Sequence, residues 1–266
     1  MRRDVLELRQ FYAGELGRAA RAMVGRKVDE AWGEVRGLDV LALGYATPFI
    51  SQTQALTARR SVAAMPGQQG VEIWSGAGGR NLSVLTDEDR LPFPNALFDR
   101  ILLVHALEES PDAAALLREV WRVLAPSGRI IAVVASRNGP WADAESTPFG
   151  HGRPYSRHQL AELLREADLE PSGWTRALYV PPVRWLAGWA DSFEQAGSRL
   201  WPAFAGLVLM EAVKQTFAVK PRGVRARARI APPLLSPQPI APASRVGSTD
   251  GPSRPCSWRA AGKGLA

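Results

Sequence analysis

Cysteine is nearly absent. Cys256 stands alone in 266 residues, which excludes an internal disulfide framework and a multi-cysteine metal site. Histidine is almost as scarce: of His105, His151 and His158, only the last two approach ligand-like spacing, which argues against a zinc centre. No uninterrupted apolar run reaches the ~20 residues a membrane helix needs. The longest candidate, 201–213, contains Pro202 and Glu211. The first residues lack the apolar core of a leader, because Asp4, Glu7 and Arg9 interrupt them, so a cytoplasmic protein is the expectation. No internal repeat is present.

What is there suits a packed globular core, with 46% apolar residues. The net charge of +7 is unevenly placed. From residue 218 to the end there are nine Lys or Arg and one acid, Asp250, so this stretch carries +8 and the first 217 residues are near neutral. The stretch also holds eight prolines and no apolar period, which predicts a disordered, solvated basic tail. Weak polyanion contact by this tail is the most that its charge implies. The folded part has no expected nucleic-acid or membrane partner.

The pattern before the tail alternates strands and helices. Apolar residues at Val5, Leu8, Phe11, Tyr12, Leu16, Ala19, Ala20 and Met23 recur near the helical period. They predict an N-terminal helical extension over 1–35, weakened at Gly14, Gly17 and Gly25. Short apolar runs predict strands at 38–43, 61–65, 81–86, 101–104 and 130–134, with 70–74 either a short extra strand or a replacement for a helix. A helix lies between the last two of these five strands, with Leu116, Leu117, Val120, Val123 and Leu124 on one face, and Pro126-Ser127-Gly128 stops it. Strand, helix and strand in that order imply a parallel sheet, because parallel strands need a crossover. A helix capped by Ser156 follows, then strands at 172–180 and 205–213 around a Trp-bearing helical or mixed stretch, 182–200.

The segment 91–134 carries a resemblance beyond its periodicity. The turn LPFPNALFD, followed by LLREVWRVLAPSGR with Glu119, Arg122, Val123, Leu124, Pro126 and Gly128, resembles class I S-adenosylmethionine-dependent methyltransferases of type 11. Ser127 stands at the first glycine of that pattern. The resemblance extends in weaker form over 35–214. It implies an α/β, Rossmann-like, doubly wound seven-stranded sheet with the last strand antiparallel, a methyltransferase-like domain over 36–217, and S-adenosylmethionine as cofactor with a small-molecule substrate.

In doubly wound sheets ligands bind beyond the carboxyl ends of the strands. By the resemblance, cofactor contacts fall on Gly44, Tyr45 and Ala46 after the first strand, Met65 after the second, Asp87 and Glu88 after the third, and His105 after the fourth. The family's first loop is an acid followed by G-x-G-x-G; here Ala42 stands at the acid, and Gly44, Ala46 and Pro48 at the glycines. Met65 replaces the carboxylate that accepts the ribose hydroxyls; Gln68 or Gln69 offers a weaker substitute. Asp87 matches the acid that receives the adenine amino group, and is alternatively a solvated turn. His105 is placed either beside the reacting atoms or as a partly buried, hydrogen-bonded residue without chemistry. The loop 147–160 interleaves Phe149, His151, Arg153 and Tyr155. It reads as a substrate contact, with Arg153 suited to an anionic group, or as a rigid turn that docks the following helix.

Two functional readings follow. One is a methyltransferase, whose residues align a reactive methyl group with its acceptor. The other is a methyltransferase-like binding or assembly module without catalysis, which the departures at Ala42, Pro48 and Met65 support. An open polar cleft at the rim of the first and fourth strands favours the first; a cleft filled by Tyr45, Met65 or Trp74 favours the second.

Overall fold

The computed structural model describes residues 2–75, 79–201 and 204–215. Its first helical stripe is two helices rather than one: α1 (Val5–Ala13) and α2 (Glu15–Trp32). Gly14, in extended backbone, separates them, and Gly17 lets the corner close, because a Cβ there would lie 2.1 Å from the Phe11 carbonyl oxygen. Asp4 caps α1 by accepting from the Leu6 N–H at 2.8 Å.

β1 (Asp39–Gly44) leads through a single 3-10 turn, Thr47–Phe49, into α3 (Gln52–Thr57) and β2 (Arg60–Pro66). Ser51 and Gln54 form a reciprocal capping box on α3. Residues 70–74 form neither a strand nor a helix. They run irregularly back toward β3 (Ser83–Thr86), held by the Leu82 N–H on the Trp74 carbonyl. β4 (Phe98–Val104), α4 (Ala113–Val123) and β5 (Leu124–Ala135) then form the strand–helix–strand unit expected from sequence. β5 begins earlier than its apolar run, because Leu124 already pairs with Phe98 before the turn at Ser127, whose φ is +60°. Ser127 thus adopts the left-handed geometry that glycine takes most readily.

α5 (Arg157–Glu166) starts at Ser156, again with a capping box, here with Gln159. β6 (Leu169–Ala177), a 3-10 stretch Arg184–Trp189, α6 (Ala190–Leu200) and β7 (Leu207–Lys214) complete the order. The seven strands run β3-β2-β1-β4-β5-β7-β6. The first five are parallel, and β7 is antiparallel to both of its neighbours.

Both sheet faces are covered, as the continuous apolar strands require. Val40, Ala42, Leu102 and Val104 join Val24, Val28 and Trp32 of α2 in one layer. Leu41, Leu43, Ile101 and Leu103 join Leu116 and Val120 of α4 and Leu160 and Leu164 of α5 in the other. Among the described residues no helix is long and apolar enough to cross a membrane. The tail expected to be disordered, 218–266, lies outside the described residues.

Candidate functional site

The turn before β4 is built around Arg122. Its guanidinium donates to both Glu119 carboxylate oxygens, at 2.8 and 2.7 Å, and to the carbonyls of Leu91 and Phe93. The residues that carried the family resemblance are therefore a structural clasp, which fixes where β4 starts.

At the carboxyl ends of the strands the loops converge. Gly44 closes β1 with φ at +83°, and a Cβ there would lie 2.2 Å from the Val104 carbonyl oxygen. Tyr45 continues the close approach, its N–H on that same oxygen at 2.9 Å. The glycine thus serves contact between two strands of the chain itself. Tyr45 is 2% exposed and stacks on Tyr12 of α1, with ring centroids 5.5 Å apart and planes 20° apart. Ala46 is buried and Pro48 opens the 3-10 turn. Met65, fully buried at the end of β2, accepts the Glu72 N–H at its sulfur, 3.5 Å away. Gln69 is buried as well: its carbonyl takes the Val5 N–H at 2.8 Å, and its amide reaches the Gly44 carbonyl at 3.4 Å.

His105 follows β4 with φ at +53°. It is 1% exposed, hydrogen-bonded to the Tyr12 hydroxyl at 2.6 Å, and packed on Phe149 with centroids 4.6 Å apart. Burial, aided by Arg2, pushes its imidazole down to about 3, so the ring is neutral near pH 7. Burial also raises the Tyr12 phenol well above its ordinary value.

Beside His105 lies a cluster of charge. Arg2 donates to Glu88 at 2.8 Å and to the Ala106 carbonyl at 3.2 Å, with its Nε 3.7 Å from Glu109. Its side chain is 1% exposed. Glu109 also accepts the Arg3 N–H at 2.9 Å. Glu108 accepts the Ala135 N–H at 3.2 Å and is pushed up to about 8, chiefly by burial, with Glu109 adding to it. Burial likewise raises Glu109, against the opposing pull of the Arg3 N–H and Arg2.

Asp87 is exposed, on the wall of a cavity of about 250 Å³ that Pro66, Gly67, Glu88 and Arg2 also line. In the 147–160 loop, His151 bonds to Arg3 and to the Glu145 carbonyl, the latter at 2.7 Å. Arg153 is exposed, with its N–H on the Glu108 carbonyl at 2.8 Å. Tyr155 is 5% exposed, its hydroxyl on the Leu107 carbonyl at 3.3 Å. A larger cavity of about 640 Å³ lies between α1 and this region, with Arg3, Glu7, Phe11, Ser146, Pro148 and Arg184 on its walls.

The sequence pointed to Gly44, Tyr45, Ala46, Met65, Asp87, Glu88 and His105, and all of them lie at or just beyond the carboxyl ends of β1 to β4. It did not single out Arg2, Tyr12, Glu108 or Glu109. Tyr12 showed only as one member of an apolar helical stripe, and the Glu108–Glu109 pair as part of a polar break after β4. Tyr45, Met65 and Gln69 are buried at or just beyond the ends of β1 and β2, Tyr12 stacks on Tyr45, and Ala42 and Met65 offer no carboxylate for ribose hydroxyls.

Residues 36–132 match the methyltransferase domain family of type 11. An uncharacterised protein of Mycobacterium tuberculosis is 28% identical over 141 residues, covering 50% of this chain and 47% of the relative. The 27-O-demethylrifamycin SV methyltransferase of Amycolatopsis mediterranei is 37% identical over 92 residues, covering 32% of this chain and 34% of that enzyme. The matches thus span half or less of these relatives. In fold, the chain is similar to a S-adenosylmethionine-dependent methyltransferase from Thermotoga maritima, with TM-score 0.54 and 16% identity over 79% of this chain and 96% of that one. Another from Archaeoglobus fulgidus gives TM-score 0.53 and 13% identity, over 73% and 94% respectively. The sequence match over 36–132 and the seven-stranded topology around it agree on the fold, which is that of class I S-adenosylmethionine-dependent methyltransferases.

Proposed function

We propose that this chain is a methyltransferase-fold binding or assembly module, which does not transfer methyl groups through the family's usual crevice. The carrying observation is the filled crevice: Tyr12, Tyr45, Met65 and His105 are each no more than 6% exposed, and they pack on one another or across the rim of β1, β2 and β4. The domain of 36–217 would then serve as a scaffold, with the helical extension 1–35 seated on it and the basic tail making weak contact with polyanions.

The experiment is calorimetric titration of the full chain with S-adenosylmethionine and S-adenosylhomocysteine. The expected result is no binding of either. Micromolar binding that Asp87→Ala weakens would overturn the reading. It would establish the alternative, a methyltransferase that acts on a small-molecule acceptor. One observation favours that alternative: the cavity of about 250 Å³ beside Asp87, at the position where the resembled family receives adenine. The Amycolatopsis relative bears the name of a small-molecule methyltransferase, and this chain would then take an acceptor of similar class.

A further inference from the structure

Of the nine buried side-chain polar atoms that lack a hydrogen-bond partner among the described residues, five belong to residues before α1 or just after β2 and β4: Nε and Nη1 of Arg2, Oε2 of Glu108, Oε1 of Glu109 and Oε1 of Gln69. Such atoms are costly in a low-dielectric interior, and most native structures avoid them. Here a guanidinium with five donors meets carboxylates but completes only two hydrogen bonds, both from Nη2. The carboxylates stand on the sheet domain and not on the segment that bears Arg2, Glu88 after β3 and Glu108 and Glu109 after β4. The segment bearing Arg2 is fastened at separate points: the Val5 N–H on Gln69, the Arg3 N–H on Glu109, and Tyr12 on His105. Between them Leu6 and Glu7 face solvent.

We propose that Glu88 and Glu109, with the Ala106 carbonyl, form a cation-binding site whose resident is the chain's own Arg2 guanidinium, held in place by 2–12 as a strap. With that guanidinium withdrawn, the same carboxylates and the Ala106 carbonyl take an external alkylguanidinium. Planar N–H forks match carboxylate geometry, which selects guanidinium over a compact ammonium ion. The inference rests on the reading that this segment keeps the crevice closed.

The test uses the full chain and methylguanidinium chloride as the probe, read by thermal unfolding. Arg2→Ala should lower Tm by roughly 10 °C, because it strands buried carboxylates. Low-millimolar methylguanidinium should restore much of that loss in a saturable way, while tetramethylammonium should not. The wild type, whose site is filled, should show no saturable response, and adding Glu109→Gln to Arg2→Ala should abolish the rescue. Equal responses of wild type and Arg2→Ala would overturn the proposal. If Arg2→Ala does not fold, Arg2→Lys replaces it, with modification of His105 by diethylpyrocarbonate followed by mass spectrometry. His105 should react faster than in wild type and be protected by methylguanidinium; unchanged reactivity would overturn the proposal. Binding of S-adenosylmethionine by the wild type would sink the module reading alone, since none of these readouts depends on that cofactor.

Discussion

Replacing Glu108 by glutamine should remove a pH dependence of stability that the wild type shows above pH 6.5. The carboxyl is buried, and one oxygen accepts the Ala135 N–H while the other has no hydrogen-bond partner among the described residues. Around it stand Glu109, which opposes its ionisation, Arg2, which favours it, and the buried phenols of Tyr12 and Tyr155. Its pKa of about 8, against an ordinary 4.5, means that the folded protein keeps the proton after the unfolded chain has released it. A raised acid of this kind contributes stability at low pH, and that contribution is lost as pH rises from about 4.5 toward 8. At about 1.4 kcal/mol for each pH unit, levelling off near the folded value, the loss between pH 6.5 and 8 comes to roughly 1.5 kcal/mol.

His105 acts in the opposite direction but in a lower window. Its stability contribution is present above its ordinary value of 6.5 and is lost as pH falls toward about 3. Measurements above pH 6.5 therefore separate the two groups. The assay is urea unfolding followed by tryptophan fluorescence at half-unit steps from pH 6.5 to 8. Wild-type stability should decline with pH, and the decline should shrink by the stated amount in Glu108→Gln. Parallel curves for the two proteins would refute the reasoning, because they would mean that Glu108 ionises in the fold as readily as in the open chain.

Three further substitutions test the architecture by denaturant unfolding. Gly44→Ala places a Cβ 2.2 Å from the Val104 carbonyl oxygen at a φ of +83°; it should cost about 3 kcal/mol or more, and a loss under about 1 kcal/mol would show that the loop relaxes freely. Arg122→Ala removes the clasp on Leu91, Phe93 and Glu119 and should cost about 2 kcal/mol. Retention of full stability would mean that β4 is positioned by its apolar contacts alone. Tyr12→Phe deletes the hydroxyl bonded to His105 at 2.6 Å; it should cost about 1–3 kcal/mol by leaving a buried ring nitrogen unpaired, and a neutral effect would show that water reaches the crevice.

The sequence by itself determined the sheet. Period-two and continuous apolar runs mark β1, β2, β4 and β5, because a strand buried on both faces cannot carry charge there. Helix starts at Ser156 and the stop at Pro126-Ser127-Gly128 were local, since caps and turns are made by residues adjacent in the chain. The break at Gly14 was visible as a weakness, but the corner it makes depends on Gly17 meeting Phe11. The early start of β5 at Leu124 was not legible, because it needs Phe98 as a partner. The same holds at the site. The departures at Ala42, Pro48 and Met65 could be read one residue at a time. Only the fold decided that Arg2 and Tyr12 lie over the strand ends, 104 residues from Ala106 and 93 from His105. Long-range contacts of that kind leave no periodic trace, since they join residues whose spacing along the chain no secondary-structure repeat records.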